Sequence, residues 1–265
     1  MNAGTAIATR ILGTTLTRYF LVAGGAFVFF YLLFPFKAAR MKIQKRLAGK
    51  KDFFREIGHS AQTSIVITAA ACLLLLTPLK QHSRVYDHIN DFPVWYLALS
   101  VVISLIIHDT YFYWMHRVLH HKKLFKLIHR THHKSTNPSP WTSYSFHVLE
   151  AVTEGGVLFV IAFTIPIHLT AIFLFTTAAF LINVYGHLGY EVMPKKFRYS
   201  WLFGIITTSV YHNLHHSKFK GNYGLYFRIW DRLMSTENPI YVAEYDKVQA
   251  KRFSPSLEQP PVNMR

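Results

Sequence analysis

Four stretches of this chain, 19–36, 60–79, 92–107 and 155–186, contain no Asp, Glu, Lys or Arg. A run of roughly 20 apolar residues, rising about 1.5 Å each as a helix, crosses the ~30 Å hydrocarbon core of a bilayer. One such run could be the core helix of a soluble domain. Four in 265 residues exceed what a single soluble core would cover. Charged residues make up only 16% of the chain, against roughly a quarter in an ordinary globular protein, which points the same way. The expected fold is an all-α integral membrane protein with about four transmembrane helices, the last a bent or hairpin-like pair. The run at 19–36 reads as a retained anchor, because no small-residue cleavage site with a polar start follows it.

A net charge of +16 admits either nucleic acid or a membrane surface as partner. Its distribution favours the membrane. Lys37, Arg40, Lys42, Lys45, Arg46, Lys50, Lys51 and Arg55 lie between the first two runs, whereas Lys80, Arg84, Asp87 and Asp91 lie between the second and third. Positive residues mark the cytoplasmic side, so the 37–59 segment is expected inside and 80–91 outside. Nucleic acid is then not needed to explain the charge. The 155–186 run is too long for one straight crossing, and Pro166 can break it.

Histidine is the odd abundance, with 16 residues against 13 carboxylates. His116 and His120 are four apart and share a helix face. His129, His132 and His133 form H-x-x-H-H, and the same pattern recurs at His212, His215 and His216, with His187 between the two. Within the first H-x-x-H-H, either His129 with His132 or His129 with His133 can share a face. Neutral imidazole suits iron, zinc or copper, and a lone cysteine, Cys72, excludes a thiolate site. Eight imidazoles are too many for one tetrahedral ion and suit two ions with open positions. The plain alternative is a solvated, basic, His-rich face, which the recurrence of one box at a distance disfavours. Both halves of the set must face one compartment, which selects a hairpin, or an even number of crossings, for 155–186.

The segments Tyr113-Trp114-Met115-His116-Arg117-Val118-Leu119-His120, His129-Arg130-Thr131-His132-His133-Lys134-Ser135 and His212-Asn213-Leu214-His215-His216 resemble the fatty acid hydroxylase / sterol desaturase superfamily. The resemblance extends over roughly 95–236 and includes Asn222-Tyr223-Gly224 and Trp230-Asp231. It implies a membrane-embedded enzyme using two iron ions and O2 to oxidise C–H bonds of lipids, with zinc able to replace iron in a purified protein. It also implies that His116, His120, His129, His132, His133, His212, His215 and His216 are metal ligands, with His187 at an additional ligand position. Some members carry another His four residues after that position, where this chain has Glu191. That carboxylate is expected to support an imidazole, or less readily to ligate. Asp109, two helical turns before His116, and His147, beside Glu150, are expected to support the site in the same way.

The leading functional expectation is O2-dependent hydroxylation of a lipid, whether fatty acyl, sterol, carotenoid or aminolipid. Desaturation by the same family is the alternative, and a His-rich divalent-metal transporter or metal-binding membrane protein is the rival of another class. The chain has no G-x-G-x-x-G, no second cysteine and no His-Pro-Gly-Gly haem segment, so a ferredoxin- or cytochrome-like donor is expected to supply electrons. The size without a fused redox domain suggests a bacterial inner membrane, with the histidines on the cytoplasmic face and a lipid other than sterol as substrate. Residues 1–236 are expected to form one membrane-embedded unit, and 237–265 a loose soluble tail.

Overall fold

A computed structural model describes residues 2–46 and 48–253. Its frame is five long helices: α1 (Ala3–Leu33), α2 (Lys50–Leu75), α3 (Val94–Leu119), α4 (Val148–Thr164) and α5 (Leu169–Gly186). All but α4 are long and apolar enough to cross a membrane. Their outward faces expose Leu21, Ile65, Val102 and Phe173, as lipid-facing helices do.

Local sequence sets the boundaries. Asn2 caps α1 by accepting from the Thr5 N–H at 2.8 Å, and Pro35, with no N–H to offer, stands where α1 stops. Asp52 accepts from the Gly49 N–H at 3.0 Å and caps α2. His147 and His168 cap α4 and α5 through Nδ1, which accepts from the Leu149 and Thr170 N–H groups. Small side chains let helices approach. A Cβ on Gly155 of α4 would lie 3.1 Å from that of Ala70 on α2. On the buried side of α2, Ser64 and Thr68 satisfy their hydroxyls on carbonyls one turn back.

The chain passes between the two ends of the bundle five times. Arg84 donates its N–H to Ala162 O, and Val85–Tyr86 (β1) pairs in parallel with Ile167–His168 (β2). The turn between α4 and α5 thus sits beside the 80–91 loop, at the end remote from the histidines. The 155–186 run is a hairpin, as the sequence suggests, but it begins earlier. Glu150 is buried on the inner face of α4 and Glu154 lines a cavity between the helices, so the helix extends past the uncharged block.

Behind the bundle sits a cap containing α6 (Ser209–Lys218) and α7 (Tyr241–Phe253). The loose tail expected from 237 is not seen over α7. Tyr241, Tyr245 and Val248, spaced i, i+4, i+7, pack on Phe203, Val210, Tyr211 and Leu214. The remainder of that segment, 254–265, lies outside the described residues.

Candidate metal centre

Four places in the fold deliver the imidazoles to one end of the bundle. His116 is on the last turns of α3 and His120 caps it. His129, His132 and His133 lie on the short helical turns over 125–133. His187 caps the C-terminus of α5, and α6 carries His212, His215 and His216. Except for His120, these rings are at least nine-tenths buried.

They fall into two groups. His116, His120, His129, His133 and His215 converge in one, and His132, His187, His212 and His216 in the other. In the first, Nε2–Nε2 distances are 3.0 Å for His116–His129, 3.2 Å for His120–His133 and for His120–His215, and 3.0 Å for His133–His215. In the second, His187 lies 3.3 Å from His132, 2.9 Å from His212 and 3.2 Å from His216. The groups adjoin, with the His133 and His216 ring centroids 4.9 Å apart. Each H-x-x-H-H box divides the same way. Its i and i+4 members enter one group, its i+3 member the other, and the two boxes do this in opposite senses. The physical cause is helical pitch: i and i+4 project nearly together, while i+3 points to the other side of that pair.

The far side of six of the nine rings is anchored. The Nδ1 atoms of His116, His132, His187, His215 and His216 face the carbonyls of Tyr223, Ser145, Asn183, Gly221 and Ser135. His129 Nδ1 is 2.7 Å from Glu150 Oε1, both groups being fully buried. A carbonyl accepts only from N–H, so Nδ1 carries the proton and Nε2 presents a lone pair. Lone pairs facing one another at about 3 Å repel, and a cation between them removes the conflict. Metal–nitrogen bonds of about 2.1 Å place neighbouring ligand nitrogens about 3.0 Å apart on an octahedron and about 3.4 Å on a tetrahedron. The spacings fit, and a purely nitrogen donor set suits iron, zinc or copper. Burial also holds the rings neutral and ready to ligate. It pushes His129, His132, His133, His212 and His216 far below the ordinary imidazole range, and His187 and His215 down to about 4.

The three residues expected to support imidazoles do other work. Asp109 Oδ1 accepts from the backbone N–H groups of Tyr226 and Phe227 at 2.7 and 3.1 Å, touching no ligating ring. His147 is the α4 cap described above, and its neighbour Glu150 makes the contact assigned to it. Glu191 is fully buried and accepts from the Met193 and Val210 N–H groups and the Tyr185 hydroxyl. It fixes the start of α6 and neither ligates nor holds a ring. Burial raises its carboxyl above the usual range, against these hydrogen bonds, which lower it.

Sequence reasoning missed two further carboxylates. Asp231 accepts from the Tyr223 and Gly224 N–H groups and the Thr236 hydroxyl, pinning the turn whose carbonyls orient His116 and His215. Glu56 accepts from the Ser135 and Ser139 hydroxyls at 2.6 and 2.7 Å, holding the segment after the second box, including the carbonyl that faces His216. The readable signal was Glu150, an acid four residues before Glu154 at the head of a long uncharged run, since such a group needs a partner.

Residues 101–236 match the fatty acid hydroxylase family. Lathosterol oxidase of Rattus norvegicus is 34% identical over 189 residues, covering 69% of this chain and 60% of the relative. Lathosterol oxidase of Homo sapiens is 29% identical over 81% of this chain and 73% of its own length. A Delta(7)-sterol 5(6)-desaturase of Schizosaccharomyces pombe is 27% identical over 92% of this chain and 71% of its own. The chain spans about 60% of the length of the rat relative. No solved structure matches the chain. With its three histidine boxes inside the matched segment, the chain belongs to the fatty acid hydroxylase / sterol desaturase superfamily.

Proposed function

We propose that this protein is an O2-dependent membrane oxidoreductase that introduces a carbon–carbon double bond into a sterol, using two iron ions held by the nine imidazoles. The observation that carries the reading is the convergence of nine Nε2 atoms, eight of them on buried rings, into two adjoining groups in a chain similar to sterol oxidases and desaturases. Hydroxylation, the leading expectation from sequence, gives way to its alternative, because these relatives are named for oxidation or desaturation of sterols. The preference for a non-sterol lipid gives way with it. Membership of this family also favours redox chemistry over metal transport.

Bound iron would supply O2 activation and removal of hydrogen from unactivated C–H bonds. Overall, two hydrogens leave the lipid, O2 becomes two waters, and an external donor provides two electrons. The chain holds six of the nine rings with Nδ1 facing an acceptor, and apolar rings shield the centre. Phe112 packs its ring 4.9 Å from His116, and Phe146 packs 5.0 Å from His132. Lys122, Lys123, Lys126 and Lys134 are exposed beside the histidine end and could meet an acidic electron donor.

The basic 37–59 segment lies at the histidine end, which favours a cytoplasmic orientation for the centre. The bacterial inner membrane finds no support, since these relatives are animal and fungal proteins. Sterol mass spectrometry of cells expressing the wild type or His132→Ala tests the function. A sterol lighter by two hydrogens, lost in the variant, is the expected result. A product heavier by one oxygen would restore hydroxylation. Unchanged lipids with altered metal uptake would overturn the enzyme reading.

A further inference from the structure

One cavity lies inside the bundle, lined by residues of all five long helices. Phe112 and Phe146, the rings packed on His116 and His132, form its histidine end, and Ile67, Val157 and Phe175 line the greasy remainder. Two ionisable side chains line this apolar space, Arg18 from α1 and Glu154 from α4. Glu154 makes no hydrogen bond or ion pair among the described residues. Arg18 Nη1 donates to Thr176 Oγ1 at 2.7 Å and, more weakly, to Thr177 at 3.4 Å, while its Nε has no partner. The two side chains share a cavity without pairing with each other, and the Tyr144 hydroxyl, hydrogen-bonded to Arg18, lies near both. Ionisable groups at membrane depth are costly and are kept where they act on something.

Whatever sits between them must accept from a guanidinium and donate to a carboxylate. An alcohol does both. An amine would be repelled by Arg18, and an ether oxygen has no proton to donate to Glu154. We propose that Arg18 and Glu154 bind the hydroxyl group of a neutral lipid alcohol, with Arg18 donating to the alcohol oxygen and the alcohol donating to Glu154. Depth agrees with this role. Glu154 is one helical turn, about 6 Å, further into the bundle than Glu150, which touches His129. An alcohol held there leaves carbons near it in the chain or ring system facing the imidazoles. The proposal deepens the sterol reading and rests on it for the choice of probe.

The test is equilibrium binding to the purified full chain in lipid nanodiscs, with a Delta(7)-sterol bearing its free alcohol and with its O-methyl ether. The wild type is expected to bind the alcohol about 10- to 100-fold tighter than the ether, because the ether cannot donate to Glu154. Glu154→Leu should bring the two within about 3-fold, with metal content unchanged, by the same argument. Equal binding of alcohol and ether by the wild type, or binding of neither, overturns the proposal. So does discrimination retained in both Glu154→Leu and Arg18→Met. If Glu154→Leu does not fold, Arg18→Met and the wild-type comparison decide. Alcohol discrimination without any desaturated product would sink the desaturase reading and leave this site standing. Desaturation of alcohol and ether at equal KM would do the reverse.

Discussion

Glu150 and His129 illustrate how one carboxylate acts on a distant ion. The acid accepts from Nδ1, so Nε2 faces its group with greater basicity. Glu150→Gln keeps an acceptor and loses the charge. Metal affinity should fall about 10-fold, and Glu150→Leu should cost nearer 100-fold. Metal content after graded chelation reads this, and an unchanged titration would remove Glu150 from the site's support. Lys42 makes a different argument. Its Nζ is buried with no hydrogen-bond partner, 5.2 and 4.6 Å from the Tyr31 and Tyr190 ring centroids. Burial lowers its pKa from 10.5 to about 8. Unfolded chains keep that proton up to about 10.5, so between the two values the unfolded state binds more protons and stability rises with pH. Below about 8 both states are charged, and the burial penalty is fully present. Lys42→Met should therefore raise the unfolding midpoint at pH 7 and abolish the rise between pH 8 and 10. Thermal unfolding in detergent across that range checks both.

On α6 the helical repeat sends His212 and His216 to one group and His215 to the other. His212→Ala and His215→Ala should each weaken a different ion, leaving roughly one metal per chain, and the double variant should lose both. Metal-to-protein ratios decide this. If either single substitution empties the whole centre, the two groups are not separate sites. Glu191 matters to this element because it holds the Val210 N–H at the helix start. Helix α7 matters because it covers the back of α6 with Tyr241 and Tyr245.

Across the molecule, the five passes place 37–59 and the histidine segments at one end, and 80–91 with the α4–α5 turn at the other. In a Cys72→Ser background, an impermeant thiol reagent should reach Lys45→Cys and Lys123→Cys from one side of sealed vesicles and His82→Cys from the opposite side. All three positions are exposed. Labelling of all three from one side would contradict the crossings of α2 and α3.

Spacing in the sequence picked out the three histidine boxes, because helical pitch brings i and i+4 rings together, whereas His187 was named through the family resemblance. The uncharged runs likewise determined the helices, since a bilayer admits little else. Which box member joins which group was not legible, because it depends on how α3, α6 and the 125–133 turns are rotated against one another. The supporting carboxylates were misassigned for a related reason. His147 and Glu150, or Asp109 and the rings of α3, are neighbours in sequence, but their partners lie on other elements. Helix α7 was missed because its short apolar stripe counts only when α6 is there to receive it. Donors and spans are legible from local pattern. The pairing of donors, the carbonyls and acids that orient them, and the ionisable side chains facing one cavity emerge only once the fold is packed, because each is a contact between segments far apart in the chain.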